Sequence, residues 1–372
     1  MVQMVDAAMI ERMAAIYSET HNYSEVARRL GVSERTVRRY LKRDPAIAKT
    51  MTVAGTTLVP SAVWLKTGPD EDGVARSILL RPEPEKDEDF LERMRAAFEA
   101  IQPAEPIAPP QVVHEDLCTL YPLMDLHLGM HAWSPLTGSD DYDLKLACDD
   151  LRYGISKLLA LNPPSKQAVL VLGGDTLHAD DDLAQTPQHK HVLDVDGRQD
   201  KVLDVAIGII AELVERLAEK HERVLVRTLR GNHDINSHRV LKHALNQRYR
   251  DEPRIEVDMS PFDLFMHQWG KAAIFAHHGD KYKPEQAALY ISDVCPFWSE
   301  TRHRYYFTGH IHKDQARDIG PLRWESLRAF CPPDAYAASM GYASRRALQA
   351  FTIHKQDGIV LRAIDPIQRQ SL

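Results

Sequence analysis

The chain has 372 residues, of which 44% are hydrophobic and 27% charged, so it can bury a large core and exceeds the length of one ordinary domain. Its net charge of -7 argues against a protein that coats nucleic acid over its whole surface. No run approaches the roughly 18 to 20 apolar residues of a membrane helix, and the N-terminus lacks a basic segment followed by an apolar one, so we expect a cytoplasmic protein that contacts no membrane.

The first predicted elements, over residues 23 to 41, are a helix, a tight turn and a second helix. Ser24 and Ser33 are candidate N-caps for the two helices, because their hydroxyl groups can accept backbone N–H donors. Gly31 offers the conformational freedom that a sharp turn needs. An earlier amphipathic helix around Met13 could close a small three-helix core.

Positive charge is concentrated in this segment, since residues 24 to 43 carry seven basic and two acidic side chains. Residues 5 to 43 resemble the helix-turn-helix of resolvase-like and repressor-like DNA-binding domains, whose second helix enters the major groove. By that resemblance, the side chains that would face DNA are Ser33, Glu34, Arg35, Arg38 and Arg39. DNA is therefore the expected partner, with a homodimer for specific recognition. The alternative is a small helical bundle whose arginines are merely solvated.

Residues 51 to 112 predict secondary structure less clearly than the helix-turn-helix segment does. The apolar runs 62 to 65 and 76 to 80 flank a turn-rich segment and predict a β-hairpin. Helical spacing of apolar residues then predicts an amphipathic helix over 85 to 101, and the proline-rich stretch 102 to 110 predicts a semi-extended connector that folds with neither neighbour. The predicted division is a helix-turn-helix domain at 1–50, a hairpin, helix and linker region at 51–112, and a larger domain at 113–372.

Beyond the connector, short apolar runs alternate with amphipathic segments, as in a layered α/β core. Helices are predicted at 144 to 161 and 201 to 220, and the tail at 347 to 364 alternates like a hairpin. Five predicted strands each lead into a short polar string, and these strings are Asp125-Leu126-His127, Gly174-Asp175, Gly231-Asn232-His233-Asp234, His277-His278-Gly279-Asp280 and Gly309-His310-Ile311-His312. Because loops at the carboxyl ends of strands converge on one sheet edge, these polar side chains can meet.

The strings combine carboxylate, imidazole and amide groups, the ligand mixture that holds two divalent cations side by side. The order and the residue types of these strings resemble the motifs of the calcineurin-like metallophosphoesterase superfamily over about residues 118 to 318. The resemblance implies an α/β fold, a layered β-sandwich flanked by helices, and a hydrolase acting on phosphate ester bonds.

The resemblance also implies roles for single residues. The metal ligands would be Asp125, His127 and His312 for one ion, Asn232, His278 and His310 for the other, and Asp175 as the bridge. His233 would face the scissile phosphate as general acid or charge stabiliser, with Asp234 orienting its ring. A hydroxide activated by both metals would be the nucleophile.

Three further expectations concern the metals and their neighbours. Mn²⁺ is the expected ion, although Fe²⁺, Zn²⁺, Ni²⁺ and Mg²⁺ suit mixed nitrogen and oxygen donors too. His277 and His278 would point in opposite directions along an extended chain, and the ligand of the family directly precedes the glycine. We therefore expect His278 to bind metal and His277 either to pack or to form a hydrogen bond behind the ligands. The four cysteines contain no C-x-x-C pair and are expected to be buried or incidental thiols.

The residues after Asp175 bear on the substrate. The string lacks the arginine that phosphoprotein phosphatases of the superfamily carry, and is similar to its DNA-repair nucleases, in which the corresponding histidine handles the DNA phosphate. His178 is therefore a candidate on the substrate side, with an ordinary polar loop residue as the alternative. His278-Gly279-Asp280 also resembles UDP-diacylglucosamine hydrolases, which keeps small diesters and pyrophosphates open. Basic residues near the later strings that could contact phosphates, or be ordinary surface charges, are Lys281, Lys283, Arg302, Arg304 and Lys313.

A basic helix-turn-helix tethered to the metal domain would raise the local concentration of DNA. We therefore expect a DNA-directed phosphodiesterase, that is, a nuclease, with a domain order similar to proteins of phage and prophage genomes. Two alternatives stay open: a phosphoesterase on nucleotides or other small esters whose N-terminal domain serves regulation, and a DNA-binding regulator with an inactive metal scaffold. The intact Asn232-His233-Asp234 triplet argues against the last.

Overall fold

The computed structural model describes residues 7–41, 51–53, 56–58, 63–66, 77–80, 101–343 and 345–367. The chain divides into two compact units, Met1–Met94 and Arg95–Leu372. Within the described ranges, no helix combines the length and apolar character that crossing a lipid bilayer requires.

The first unit contains three short helices: α1 (Ala7–Thr20), α2 (Tyr23–Leu30) and α3 (Glu34–Leu41). One face of each helix contributes to a small hydrophobic core, in which the buried side chains are Met13, Val26 and Val37. Gly31 has a positive φ of 66°, and its N–H donates to the carbonyl of Ala27, which ends α2. The predicted helix-turn-helix is confirmed.

One of the two predicted N-caps is wrong. Ser33 does cap α3, because its hydroxyl accepts the N–H of Thr36. At α2, however, the cap is Asn22, whose extended backbone directly before the first turn lets its side chain accept the N–H of Ser24. Ser24 lies two residues beyond this cap, already inside the helix, and its hydroxyl donates instead to Glu34 at 2.6 Å.

Two short antiparallel hairpins are described between residues 51 and 80. They are β1 (Met51–Val53) with β2 (Thr56–Leu58), and β3 (Val63–Lys66) with β4 (Ser77–Leu80). The second is the hairpin predicted from the runs 62 to 65 and 76 to 80. The helix predicted over 85 to 101 lies, except for its last residue, outside the described residues. The division at residues 50 and 112 stays a prediction.

The second unit contains two mixed sheets. The first is built from β5 (His114–Leu123), β6 (Ser165–Leu172), β7 (Arg223–Thr228), β8 (Ile255–Val257), β14 (Leu348–His354) and β15 (Gly358–Asp365). The second is built from β9 (Phe265–Trp269), β10 (Ala272–Ala276), β11 (His303–Thr308), β12 (Gln315–Ile319) and β13 (Leu322–Ser326). Their strand orders are β15-β14-β5-β6-β7-β8 and β12-β13-β11-β10-β9. Strands β14 and β15 form the hairpin predicted for the tail.

Four helices pack against the sheets, and they are α5 (Leu144–Leu161), α6 (Gln199–Lys220), α7 (Ser237–Arg248) and α8 (Pro284–Val294). Two short helices, α4 (Ser134–Thr137) and α9 (Ala335–Ser339), contact each other. On β6, Leu170 faces the core shared with α5 and α6, whereas Val169 and Val171 face the core between the sheets. A strand buried on both faces is apolar at every position, which is why it reads as a continuous run. The predicted layered sandwich with flanking helices is confirmed.

The proline-rich connector differs from its prediction. We expected residues 102 to 110 to fold with neither neighbour, yet they belong to the second unit and are bonded to it. The N–H of Ala104 donates to the carbonyl of Arg248, and the guanidinium of Arg254 donates to the carbonyl of Ile107 at 2.6 Å. Proline has no N–H donor but keeps its carbonyl group. An extended proline-rich segment can therefore still accept hydrogen bonds from arginine side chains.

Candidate metal centre

The loops that follow five strands meet at one edge of the sandwich. Strands β5, β6 and β7 run parallel, as do β10 and β11, so their carboxyl ends point the same way within each sheet. The polar side chains that follow them are Asp125 and His127 after β5, Asp175 and His178 after β6, Asn232 and His233 after β7, His278 after β10, and His310 and His312 after β11. The structure brings all of these predicted residues together.

Asp175 lies at the middle of the cluster. Its Oδ2 is 3.2 Å from Nε2 of His278 and 3.8 Å from Nε2 of His127, and its Oδ1 accepts the backbone N–H of His233 at 2.8 Å. Asp175 belongs to two groups whose possible ligand atoms all lie within 4.8 Å of one another, one with His278 and His310, the other with His127 and Asp125. A single carboxylate therefore separates two sets of donors.

The first donor set is completed by His312, whose Nε2 lies 3.5 Å from Oδ1 of Asp125. Asp125 is fully buried and accepts the backbone N–H of His310 at 3.0 Å. Nε2 of His127 is buried without a hydrogen-bond partner in the described structure. Since a buried polar atom without a partner is costly, this nitrogen fits a metal ion directly.

The second donor set contains Asn232 as well, because its Oδ1 is 3.1 Å from Nε2 of His278. Nδ1 of His278 lies 3.0 Å from the carbonyl of Gly173, which holds the ring in place. Oxygen and imidazole donors in this proportion suit divalent cations such as Mn²⁺, Fe²⁺ and Zn²⁺. The residues present therefore fit two metal ions.

Burial and mutual charge set the protonation of the two central groups. Burial lowers the pKa of His127 well below its usual value, and His233 acts in the same direction, so the imidazole is neutral and able to bind a metal. Burial acts against the charge on Asp175, but His278 and the neighbouring imidazoles outweigh it and hold the pKa of Asp175 well below its usual value.

Several of these residues have an unusual backbone. The φ angles are 52° at Asp125, 46° at His127, 48° at Asp175, 66° at His310 and 53° at His312. Positive φ is uncommon outside glycine, although aspartate and histidine tolerate it better than most residues. At each of these positions the chain turns sharply after its strand, which directs the side chain into the cluster.

Glycines allow the loops to approach one another closely. A Cβ atom on Gly231 would overlap both Oδ1 and the backbone nitrogen of Asp175, and one on Gly309 would overlap Oδ2 of Asp125. Neither overlap can be relieved by moving a flexible side-chain end alone, because backbone or a fixed carboxylate is involved. Glycine at both positions is thus a steric condition for the cluster.

We expect Gly231→Ala to displace Asp175 and to lower the Mn²⁺ affinity by at least about tenfold, the size of effect seen when supporting residues of metal sites change. The measurement is Mn²⁺ per chain by inductively coupled plasma mass spectrometry over a series of Mn²⁺ concentrations. The matched control is Gly208→Ala in α6, where an added Cβ meets nothing within 4 Å. Wild-type affinity in the Gly231 variant would contradict the steric argument.

Asp234 has a different role from the one predicted. Its buried carboxylate accepts the backbone N–H groups of Thr176 at 2.8 Å and Gly231 at 2.9 Å, and so ties two loops together. It does not orient the ring of His233, whose Nδ1 lies 2.8 Å from the carbonyl of His178. Because a carbonyl only accepts, Nδ1 of His233 carries the proton, and Nε2 is left for a substrate.

His178 is buried behind the first donor set. Its Nδ1 lies 3.1 Å from Nδ1 of His127, and its ring stacks on that of His233 with centroids 5.3 Å apart. Burial lowers the pKa of His178 to about 3, so the ring is neutral. Its side chain borders the cavity described below but is only 1% exposed, so its role on the substrate side stays a prediction.

The adjacent histidines separate as expected. His278 points at Asp175, whereas Nδ1 of His277 accepts the N–H of Gly279 and its ring lies 4.9 Å from that of Tyr282. Both rings are buried, on opposite sides of the chain. The geometry therefore leaves one of the two at the metal centre.

Two of the basic residues suggested for phosphate contact lie elsewhere. Arg302 and Arg304 stand at the beginning of β11, opposite the edge that carries the cluster. The guanidinium of Arg304 packs 4.1 Å above the ring of Trp298. By contrast, Lys313 follows β11 and lines the cavity at the cluster.

One wall of the site contains residues that no motif in the sequence marks. A cavity of about 610 Å³ lies over the cluster, and its lining includes Cys331, Pro332, Tyr336 and Tyr342. The thiol of Cys331 lies within 4.8 Å of ligand atoms of His127 and of His312. Burial raises the pKa of Cys331 well above its usual value, so the group is a neutral thiol. No spacing in the sequence distinguishes this cysteine from the other three.

Comparison with known proteins gives one match to a family model. Residues 6–44 match the homeodomain-like domain, over the three helices of the first unit. No curated protein sequence matches the chain.

Three of the solved structures similar to this chain share 11 to 12% identity with it. Vps29 of Entamoeba histolytica complexed with Zn²⁺ has a TM-score of 0.29 at 11% identity and covers 67% of this chain and 99% of its own. A predicted phosphoesterase of Streptococcus pneumoniae TIGR4 has 0.28 at 11% identity, covering 68% and 99%. An archaeal phosphodiesterase has 0.35 at 12% identity, covering 66% and 99%. At such values the likenesses assign no role to any residue.

Proposed function

We propose that this chain is a metal-dependent phosphodiesterase that acts on DNA. The position of Asp175 between two complete donor sets carries the proposal, because one shared carboxylate is what a pair of neighbouring divalent ions requires. The ligands would be Asp125, His127 and His312 for one ion, Asn232, His278 and His310 for the other, and Asp175 for both. When bound, the ions would activate a water for attack and neutralise phosphate oxygens during in-line displacement.

His233 would act as the general acid that protonates the leaving group. Its ring is fixed by the bond from Nδ1 to the carbonyl of His178, so Nε2 is directed to the substrate. In the imidazolium form, this nitrogen would donate its proton to the oxygen that leaves the phosphate. Burial of the neighbouring His178 helps to exclude water from the back of the ring.

Support for DNA as the substrate comes from the first unit. Its three helices match a homeodomain-like domain, and α3 presents basic side chains. Arg35 is exposed, whereas Arg38 is held by an ion pair to Glu34 at 2.7 Å and lies over the ring of Tyr23. An exposed arginine on the second helix of the motif is available for a phosphate or a base edge.

The proposed activity is tested with four substrates and Mn²⁺: bis-p-nitrophenyl phosphate, p-nitrophenyl phosphate, and labelled single- and double-stranded DNA. We expect hydrolysis of the diester and cleavage of DNA. Hydrolysis of the monoester alone, with no DNA cleaved, would exclude the proposal and favour a phosphoesterase on small esters whose first unit serves regulation.

Duplex binding by α3 gives a separate prediction. We expect Arg35→Ala to weaken duplex binding roughly tenfold and to reduce the slope of log K against log salt by about 0.9, since one phosphate contact is lost. Fluorescence anisotropy at several salt concentrations measures both quantities. The control is Arg12→Ala, an exposed arginine on α1. Equal losses for both variants would show only a general charge effect.

A further inference from the structure

A second cavity, of about 390 Å³, lies next to the metal centre at the carboxyl end of β7. Its size is within the range of ligand pockets. Four cationic side chains define it, and we call it the basic cleft: Arg227, Arg230, Arg239 and Lys242. Arg230 directly precedes Gly231-Asn232, so the cleft adjoins the loop that carries a predicted metal ligand.

The basic cleft has more positive charge than its carboxylates neutralise. Arg227 pairs with Asp258 at 3.0 Å, and Arg230 pairs with Asp263 at 3.4 Å and with Asp280 at 3.6 Å. Among the residues that the structure describes, neither Arg239 nor Lys242 has a carboxylate oxygen within 4.0 Å. The four cations thus meet three carboxylates, and neither Arg239 nor Lys242 forms an ion pair with any of them.

Lys242 is the more unusual of these two cations. Its side chain lies on α7 and is only 7% exposed, and its ammonium group makes one long hydrogen bond, 3.4 Å, to the carbonyl of Ser260. Burial lowers the pKa of Lys242, and the charge of Arg227 acts in the same direction, while Asp258 opposes them. A buried ammonium with one weak partner is costly unless an anion completes its shell.

Arg227 also has one donor atom that lacks a hydrogen-bond partner. Its two terminal nitrogens donate to the carbonyls of Ser260 and Phe262, but Nε is buried without a partner. Arg239 is exposed at the mouth of the cleft. A phosphate oxygen accepts charge-assisted hydrogen bonds from ammonium and guanidinium groups together, so it suits this set of donors.

We propose that the basic cleft binds a second phosphate of the substrate backbone, so that the substrate is a nucleic-acid strand running from the metal centre past Asn232 to α7. This inference rests on the proposed function, because it assigns the cleft to the same substrate. A small ester with one phosphate would leave the cleft unused.

The test uses the full chain in EDTA and fluorescein-labelled pentathymidylate, a single strand that offers α3 no major groove. Anisotropy gives the Kd at several salt concentrations for the wild type, Arg239→Ala and Lys242→Gln. We expect each substitution to raise the Kd roughly tenfold or more, because a charge-assisted hydrogen bond is lost, and to reduce the salt slope by about 0.7. The control is Arg223→Ala, an exposed arginine at the opposite end of β7.

The outcomes separate the possible explanations. Arg239 is exposed, so its position tolerates alanine, and an unchanged Kd and salt slope in Arg239→Ala would overturn the proposal. A circular dichroism spectrum shows whether the Lys242→Gln protein is folded. Tripolyphosphate competing as well as unlabelled pentathymidylate would indicate a general polyanion site and overturn the strand assignment. If the cleft variants lose binding while Mn²⁺-loaded wild type cleaves no ester, the proposed function fails and the strand-binding cleft stands.

Discussion

Asp175→Ala is expected to remove bound Mn²⁺ and to lower phosphodiesterase activity by at least about 10³-fold. The carboxylate of Asp175 lies between both donor sets, so no other described side chain can replace it toward both ions at once. Without the ions, nothing lowers the pKa of an attacking water, which is then a poor nucleophile at neutral pH.

Two measurements check this result: Mn²⁺ per chain after gel filtration, and the rate on bis-p-nitrophenyl phosphate. The matched control is Asp181→Ala, which removes an exposed carboxylate six residues further along the same loop and should keep both metal and activity. An Asp175→Ala protein that retained two ions per chain would show that the shared carboxylate is not a metal ligand.

His233→Ala is expected to lower turnover by about 10²- to 10⁴-fold while leaving the metal content unchanged, which is the loss typical of a missing proton donor. The contact of His233 with Asp175 is made by the backbone N–H, which alanine keeps. The side chain itself is bound through Nδ1 to the carbonyl of His178.

The same two assays, metal content and turnover, test the role of His233. The control is His114→Ala, an exposed histidine at the beginning of β5, at the other end of the strand from the cluster. Possible ligand atoms of His233 also lie within 4.8 Å of those of His127 and His178. Loss of metal from the His233 variant would therefore identify it as a ligand rather than an acid.

The strands that carry the site could be predicted because of where they lie. A strand such as β6 is buried on both faces, so its sequence is a continuous apolar run, and the polar residues begin where the strand ends. Gly174 and Asp175 mark that point in the sequence. The ligands were therefore visible as short strings, each at the end of an apolar run.

The remaining features depend on contacts between distant segments. Cys331 and Tyr336 reach the cavity only because β13 and α9 pack beside the other loops. The basic cleft likewise joins β7, α7 and the loop after β8, and Lys242 gives no sign in the sequence that it is buried. Asp234 shows the opposite error, because the family resemblance implied a contact with the ring of His233, whereas its carboxylate accepts backbone N–H groups of two loops.

The left-handed residues of the cluster link ion binding to the stability of the second unit. Each of these residues has a left-handed backbone conformation that costs about 1 to 2 kcal/mol relative to the right-handed one. They are Asp125, His127, Asp175, His310 and His312. Ions bound by these side chains would favour the folded state alone, by about 4 kcal/mol at a thousandfold excess over the Kd. A chelator would then lower the melting temperature of the second unit and leave that of the three helices unchanged.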